Sequence, residues 1–466
     1  MVAKTIIPNK TSMAEQPPEV RVCNFYEVSY GYTPEQAIAE AKRCLNCPKQ
    51  ICVPGCPVNV DIPAFLKLVA LDDFLGAAKL IKQTNALPAI TGRVCPQENQ
   101  CEGVFALAKR YEPVAIGRLE RFVADWEAAA GSFSLPTLPP PTHKKVAVVG
   151  SGPAGLTVAA DLARFGHNVT IFEALHEAGG VLSYGIPEFR LPKAIVKREV
   201  DYVRSLGVRL RIDFVVGSSA AVDELLGEYD AVFLGTGAGL PWFLGIPGEN
   251  LGGVYSSNEY LTRSNLMKAY RYPEYDTPIA RGKRVIVIGG GNTAMDAART
   301  ALRLGARDSI IVYRRSRKEL PAHNEEIEHA EQEGVQFHLL TTPVAFHGAN
   351  GRVTELECLR NKLGEPDASS RRKPVAVEGS NFRIPVDVMV IAIGQSPSPL
   401  ISKSTPELAV GKGGVVQVNQ NSMKTSKKGV FAGGDIITGG ATVILAMGQA
   451  KIAARAIDEY MQTGQW

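Results

Sequence analysis

The sequence predicts a multidomain protein in which an α-helical, cysteine-rich domain precedes two α/β domains with parallel sheets. Three observations predict this class. Seven of the eight cysteines lie within the first 101 of 466 residues, among stretches whose apolar residues recur at helical spacing. A proline-rich segment follows at 132–142. Beyond it, short β-branched runs lead twice into a glycine turn and a helix, which is typical of parallel α/β units.

Composition and charge limit the classes of partner. Lys and Arg total 51 and Asp and Glu total 47, so the formal net charge is +4. A balance this close to neutral argues against nucleic acid or an anionic membrane as the main partner. No apolar stretch reaches the roughly 18 residues of a membrane span, and the N-terminus lacks the apolar core of a secretory signal. We therefore expect a cytoplasmic protein without a membrane span.

Patterns along the chain set the predicted domain bounds. Helical spacing at 35–44 and at 62–83 predicts two helices in the N-terminal domain. The apolar run 429–432 and the long helical pattern after it indicate that the chain returns to its first α/β domain. The predicted bounds are a helical domain at 1–131, a linker at 132–142, a first α/β domain at 143–270 and 386–466, and a second at 271–385.

The cysteines are spaced as ligands of a metal centre. A C-x2-C-x4-C-x3-C-P run is followed by a pair, and the six residues are Cys44, Cys47, Cys52, Cys56, Cys95 and Cys101. Thiolates suit iron–sulfur clusters or zinc. A redox-active CxxC is a weaker alternative, because Cys44 ends a helical pattern instead of opening a helix after a strand. If the first three bind one cluster, only three thiols remain for a second, so neither set has four.

The first glycine turn reads Gly150-x-Gly152-x-x-Gly155 between a strand and a helix. Glycine permits the tight turn at Gly150, the approach of a pyrophosphate at Gly152 and close helix packing at Gly155. Glu173 ends the next strand, where an acid binds ribose hydroxyls. A purely structural glycine turn is the alternative, but the order of strand, turn, helix, strand and acid favours a dinucleotide.

The following residues favour a flavin as that dinucleotide. The segment 184–193 is polar and aromatic and lies where a flavin ring would follow its adenosine half. Gly434-Asp435 offers a second acid between a strand and a helix, although Gly-Gly-Asp alone is a common turn. The predicted FAD residues are Gly150, Ser151, Gly152, Pro153, Ala154, Gly155, Glu173, Gly180, Leu182, Arg190, Gly237, Gly434, Asp435 and Thr442.

The second glycine turn, Gly289-x-Gly291-x-x-Ala294, has no acid after its second strand. Arginines follow at 314, 315 and 317, and guanidinium groups there favour the 2′-phosphate of NADP(H) over NAD(H). A solvated basic turn is the alternative. The predicted NADP residues are Gly289, Gly290, Gly291, Asn292, Thr293, Arg314, Arg315 and Gly394. The charged helix at 323–334 is predicted to face solvent, and it does not match a zinc-protease motif.

These motifs together resemble one family along nearly the whole chain. The segments 43–65, 92–103 and 112–126, followed by the two glycine turns, are similar to the small subunit of NADPH-dependent glutamate synthase. The same family includes the large subunit of the electron-bifurcating NADH-dependent ferredoxin:NADP oxidoreductase, the sulfide dehydrogenase alpha subunit and the N-terminal part of dihydropyrimidine dehydrogenase. Residues 12–47 look more like the ferredoxin:NADP oxidoreductase and sulfide dehydrogenase branch. The resemblance implies an alpha-helical ferredoxin-like domain with two iron–sulfur clusters, then glutathione-reductase-like Rossmann domains for FAD and NADP(H).

The resemblance also implies cluster ligands. Cluster one would take Cys44, Cys47, Cys52 and the carboxylate of Glu120. Cluster two would take the other three cysteines, Cys56, Cys95 and Cys101. Its fourth family cysteine corresponds to Phe105 here, so cluster two is expected to be three-iron, to use another ligand such as Cys23 or Glu102, or to be absent. Four-iron clusters are otherwise the expectation, and the alternative for Glu120 is a surface helix acid.

The implied activity is hydride exchange between NADP(H) and FAD, with single electrons passing through the clusters to a partner subunit. The cofactors carry that chemistry, so no catalytic side chain is assigned. The partner would be a glutamate synthase large subunit or a small FAD/2Fe–2S ferredoxin-reductase-like subunit, and ferredoxin is a further candidate. The alternatives are a stand-alone NADPH reductase of polysulfide or another acceptor, and a redox-inactive scaffold. No segment resembles a glutamate-forming barrel.

Overall fold

A computed structural model describes residues 6–131, 135–367 and 370–466. The predicted linker therefore lies partly outside the described residues, at 132–134, and its remainder, 135–142, contains no helix or strand. None of the described helices combines the length and apolar character that crossing a bilayer requires.

The N-terminal domain is helical, with one small antiparallel pair of strands. Its elements are β1 Ala14–Glu15, α1 Pro18–Arg21, β2 Ser29–Gly31, α2 Pro34–Ala41, α3 Ile62–Ala70, α4 Phe74–Lys82, α5 Pro88–Val94 and α6 Ile116–Ala129. The stretch predicted to be helical over 62–83 is helical and is divided into α3 and α4. Asp72 has a left-handed backbone (φ +66°), and the Asp73 carboxylate accepts from the backbone N–H of Gly76 (2.9 Å) to cap α4.

Two α/β units follow. The first begins with β3 Lys145–Val149, α7 Pro153–Arg164, β4 Asn168–Phe172, α8 Val181–Tyr184, α9 Lys193–Ser205, β5 Arg209–Arg211, α10 Val222–Glu228 and β6 Ala231–Leu234. The chain continues through β7 Leu240–Pro241, β8 Val254–Ser256, α11 Ser257–Asn265, β9 Arg284–Ile288, α12 Asn292–Arg303, β10 Asp308–Val312, α13 Asn324–Gln332, β11 Gln336–His338, β12 Thr341–Ala349, β13 Arg352–Pro366, β14 Arg372–Ala376, β15 Phe382–Pro385, β16 Val388–Ile391 and β17 Gln395–Ser396. It ends with α14 Leu400–Ser404, β18 Val430–Ala432, α15 Asp435–Thr438 and α16 Val443–Thr463.

Each unit is built on a five-stranded parallel sheet. The first sheet has the order β18-β6-β3-β4-β5, so the C-terminal strand joins the first unit. The second has the order β11-β10-β9-β16-β8, beside an antiparallel sheet of β12 to β15. Both β8 and β16 pair in the second sheet, although the predicted bounds assigned them to the first α/β domain. The second unit therefore lies between β7 and β17, which pair with each other where the chain enters and leaves it.

The prediction that the charged residues of the helix at 323–334 face solvent is wrong for three of them. Glu326, His329 and Glu333 are buried. Glu333 accepts hydrogen bonds from Arg299 (2.9 and 2.7 Å) and Arg303 (2.6 and 3.1 Å) of α12. Arg21 of the N-terminal domain reaches the same carboxylate at 2.9 Å. Burial would raise the pKa of Glu333, but these arginines outweigh it and lower the pKa to about 2.

The substitution Glu333→Gln tests this network. It leaves three buried guanidinium groups without their shared anion, and breaking such a pair costs about 3–5 kcal/mol. We expect the free energy of unfolding in chemical denaturation to fall by that amount. Glu331→Gln is the matched control, because Glu331 is an exposed acid on the same helix. A loss equal to the control's would show that the network contributes nothing to stability.

Candidate cofactor sites

A single cavity of about 1230 Å³ lies between the two parallel sheets. Both glycine turns line it, together with the N-termini of α7, α12 and α16. All eight predicted NADP residues border the cavity, as do twelve of the predicted FAD residues. Gly155 and Leu182 do not: Gly155 packs inside the turn, and Leu182 is fully buried in the core.

The first glycine turn has the geometry of a pyrophosphate cradle. Gly150 has φ +100°, and a Cβ there would lie 2.5 Å from the carbonyl oxygen of Gly235. A Cβ on Gly155 would clash with the carbonyl of Gly150, so only glycine lets α7 start this close to β3. Gly152 precedes α7 and faces open space, with no heavy atom within 4 Å of its Cβ position. The residues present therefore fit a bound dinucleotide.

Glu173 is held at the cavity edge just after β4. One carboxylate oxygen accepts from the Ser151 backbone N–H (2.9 Å) and hydroxyl (2.5 Å), and the other accepts from the Leu175 N–H (2.9 Å). These bonds link the acid to the glycine turn and fix its carboxylate at the edge of the cavity.

The C-terminal junction supplies the opposite wall. Asp435 accepts a hydrogen bond from the Ala441 N–H (2.9 Å), and burial raises the pKa of its carboxyl. Thr442 caps α16 through the Leu445 N–H. Arg190 borders the cavity, but its guanidinium is bound by both carboxylate oxygens of Asp296 on α12, at 2.8 Å each. It therefore joins the two α/β units.

The second glycine turn repeats the first. Gly289 has φ +144°, and a Cβ there would clash with the carbonyl of Ala392. Gly291 precedes α12 and has no heavy atom within 4 Å of its Cβ position. Asn292 accepts from the His323 backbone N–H (2.8 Å), so its side chain braces the turn. Gly394 lies under Trp242, a cavity residue that no sequence motif had indicated.

The three arginines after β10 differ in whether their guanidinium groups are already bonded to other protein groups. Arg315 is 5% exposed at its side chain, and it donates to the carbonyl of Arg372 (2.8 Å) and to Asp367 (2.5 Å). Arg317 pairs with Glu331. Arg314 is exposed at the cavity, and its guanidinium has no hydrogen bond to any described residue. Among the three arginines after β10, Arg314 is therefore the one whose guanidinium is open to the cavity.

In the N-terminal domain, Cys44, Cys47 and Cys52 share one loop after α2. Cys44 and Cys47 are half-buried, and Cys52 is buried. Burial, with the neighbouring thiols of Cys44 and Cys47, raises the pKa of Cys52 to about 11. Three thiols on one loop that influence one another's ionisation suit a bound cation, because a metal stabilises the thiolate form.

Glu120 lies with the other three cysteines, which differs from the expectation that it completes cluster one. Its carboxylate accepts from Thr91 (2.5 Å) and Asn85 (2.6 Å). Thr91 is one turn before Cys95, where α5 packs on α6, and the Cys95 N–H donates to the Thr91 carbonyl. Burial raises the pKa of Cys56, Cys95 and Cys101, and the Glu120 charge adds to each. Burial likewise raises the pKa of Glu120 to about 7.

The spacing of the thiols favours clusters over single ions. Ligands of one tetrahedral zinc at about 2.3 Å lie within about 4 Å of one another. Among the described residues, the group of potential ligand atoms within 4.8 Å of one another is Glu15, Glu325 and His329, and it contains no cysteine. Those three residues form ion pairs around α13, with Arg118 at 3.2 Å from Glu325.

Comparison with known proteins agrees with this geometry. Residues 144–450 match the family described as pyridine nucleotide-disulphide oxidoreductase. Residues 21–132 match dihydropyrimidine dehydrogenase domain II, 4Fe-4S cluster. The chain belongs to the pyridine nucleotide-disulphide oxidoreductase family. Within it, the glutamate synthase [NADPH] small chain of Halomonas elongata is 37% identical over 96% of this chain and 95% of its own.

Other members of the family differ in length. The NADP(+)-dependent formate dehydrogenase subunit beta of Moorella thermoacetica is 41% identical over 89% of this chain, which spans 60% of that subunit. Among solved structures, FprA from Mycobacterium tuberculosis has a TM-score of 0.58 at 21% identity, covering 69% of this chain and 85% of FprA. The latter likeness shows the fold of the two α/β units.

These comparisons confirm the predicted family, fold class and cofactor classes. The chain is an NAD(P)H-dependent oxidoreductase with FAD and NADP domains and an iron–sulfur domain. Several of its relatives are named as small chains or beta subunits, which implies a partner subunit.

Arg314→Ala tests the position of the 2′-phosphate. We expect the KM for NADPH to rise about tenfold, equivalent to about 1.4 kcal/mol, while the KM for NADH stays unchanged. Steady-state kinetics with both nucleotides provide the measurement. Arg317→Ala is the control from the same loop. Equal effects of Arg314→Ala on NADPH and NADH would rule out this role.

Proposed function

We propose that this chain couples hydride exchange between NADP(H) and FAD to one-electron transfer through two iron–sulfur clusters, as one subunit of a larger enzyme. The observation that carries the proposal is a helix shared by the cavity and the cysteine domain. Thr442 at the start of α16 borders the cavity. Six residues later, a Cβ on Gly448 would lie 2.9 Å from the carbonyl of Pro57, the neighbour of Cys56. Six helical residues span only about 9 Å.

Different residues of the cavity bind different parts of FAD and NADP(H). Gly152 leaves room for a pyrophosphate at the start of α7, and Glu173 is oriented toward a ribose. Asp435 and the N-terminus of α16 face the same cavity from the other side. At the second turn, Gly291 leaves room for the pyrophosphate of NADP(H), and Arg314 binds its 2′-phosphate. A flavin accepts a hydride as an electron pair and can release its electrons one at a time, which is the chemistry this arrangement requires.

The cluster ligands follow the structural grouping. We assign Cys56, Cys95, Cys101 and Glu120 to one cluster, and Cys44, Cys47 and Cys52 to the other. The first set lies next to α16, because Pro57 packs on Gly448. It is therefore the cluster placed to exchange electrons with the flavin. In the second set Cys44 and Cys47 are half-buried and lie on the loop with the exposed residues Lys42 and Lys49, so this cluster is the exit toward a partner.

The partner is a second redox subunit, either a glutamate synthase large subunit or a small FAD/2Fe–2S flavoprotein. Relatives named as small and beta subunits support a multisubunit enzyme. The second candidate function is that of a stand-alone NADPH reductase, which acts without a partner on polysulfide or another small acceptor. A cytoplasmic location stays a prediction from the sequence.

Anaerobic purification of the tagged chain from its own host tests the proposal. We expect flavin, iron and sulfide in the product, a co-purifying redox subunit, and bleaching of the flavin and cluster absorbance by NADPH. The size of the co-purifying chain distinguishes the two partner types. An isolated chain that still reduces polysulfide would favour the stand-alone reductase. Flavin without iron would overturn the electron-relay function.

A further inference from the structure

The six cysteines assigned to the clusters form two ligand sets of three. Glu120 adds a fourth donor to only one of them. Thr91 links Glu120 to the Cys95 turn, since its hydroxyl donates to the Glu120 carboxylate (2.5 Å) and its carbonyl accepts from the Cys95 N–H (3.1 Å). The Glu120 charge also raises the pKa of Cys56, Cys95 and Cys101, which groups these four donors together. Cys44, Cys47 and Cys52 lie within nine residues of the loop between α2 and α3, which also holds Cys56. One set therefore has four donors and the other has three.

The remaining cysteines and all histidines lie elsewhere. Cys23 is exposed after α1, where its thiol lies 3.5 Å from the carbonyl of Glu19. Cys358 is buried in β13 of the second α/β unit. The first histidine in the sequence is His143, beyond the cysteine domain. Within residues 1–131 the seventh thiol, Cys23, is thus exposed and bonded to its own helix, and no histidine occurs.

The acids near the loop are already engaged. Residues 41–60 contain no Asp or Glu. Glu40 accepts from Arg43 (2.6 Å), the Thr11 N–H (2.7 Å) and the Ala115 N–H (2.8 Å). Glu102 accepts from Lys10 (2.5 Å) and the Gly117 N–H (3.3 Å). Moving either carboxylate to iron would leave buried donors without an acceptor.

A hydrocarbon side chain fills the neighbouring position. A Cβ on Gly55 would lie 3.2 Å from the Cys52 carbonyl, 3.2 Å from the Cys101 Cα and 2.5 Å from a methyl of Val104. The turn that ends in Val104 thus packs on the loop that holds Cys52. Phe105 follows directly, is 4% exposed, and belongs to the same apolar core as Cys52. A phenyl ring offers iron no lone pair.

We propose that the cluster held by Cys44, Cys47 and Cys52 has only three ligands from the protein, so that one of its four irons is bound by water, hydroxide or an added thiol and is exchangeable. This inference rests on the proposed function, which supplies the clusters. The chain would thus contain one cluster that is fully ligated by protein and one with an open iron.

An open iron changes how that cluster responds to an oxidant. When ferricyanide removes one electron, a [4Fe–4S]²⁺ cluster with an open position releases one Fe²⁺ and becomes [3Fe–4S]⁺. The ferricyanide is reduced to ferrocyanide, and the three thiolates stay bound to the three remaining irons. A cluster with four protein ligands resists this loss, because no iron is held by solvent alone.

The test is ferricyanide titration of the anaerobically purified full chain, with its partner if one co-purifies. We expect release of about one Fe²⁺ per chain, measured with a ferrous chelator, together with the low-temperature EPR signal of an oxidised three-iron cluster. Added Fe²⁺ with a thiol reductant should abolish the signal. Intact clusters without iron release would overturn the inference and leave the proposed function standing. Protein without iron would overturn the proposed function itself.

Phe105→Cys provides the matched variant, because it places a thiol where the ring lies. We expect iron release and the three-iron signal to fall at least tenfold in this variant, while Phe105→Leu keeps both at the level of the unsubstituted chain. Far-UV circular dichroism of both variants checks the fold. If the cysteine variant does not fold, the ferricyanide titration of the unsubstituted chain decides the inference. A three-iron signal unchanged in folded Phe105→Cys would show that position 105 does not face the open iron.

Discussion

The contact between the turn at Cys56–Pro57 and Gly448 of α16 is the constraint on which the arrangement of cofactor sites depends. With a side chain at 448 the cysteine domain would be pushed away from the helix that borders the flavin cavity. The apolar core is continuous across this contact, from Phe65 and Leu66 to Met447 and Ala450. Electron transfer falls off steeply with distance, so the absence of a single Cβ helps to keep two redox sites within reach of each other.

A second kind of contact attaches the other α/β unit. Its helices α12 and α13 meet the rest of the protein through buried ion pairs, in which Arg21 and Arg190 come from outside the unit and Asp296 and Glu333 from within it. Such pairs are directional, whereas apolar packing tolerates small slides. The network therefore fixes the orientation of the NADP turn relative to the flavin cavity, at the cost of desolvating several charges.

Features that depend on neighbouring residues in the chain could be predicted from the sequence, whereas contacts between distant residues could not. The roles of Gly150, Gly155 and Glu173 follow from the order of strand, turn, helix and acid, and the structure places them accordingly. The sequence could not predict that the Arg315 guanidinium is already bound by Asp367, because Asp367 is 52 residues away. The burial of Glu333 likewise depends on Arg21, which lies 312 residues earlier. For Glu120, the resemblance supplied the ligand type, but the choice of cysteine set required the packing of α5 on α6.

The pairing of β7 with β17 has a consequence for how this architecture can vary. Ser396 lies opposite Leu240, so the second α/β unit begins and ends at one point on the first. A segment whose ends meet behaves as a self-contained insertion, and such insertions are tolerated because they leave the host's chain path unchanged. A related unit could therefore take its place only if it kept acids at the positions of Asp296 and Glu333, because Arg21 and Arg190 would otherwise be buried without these partners.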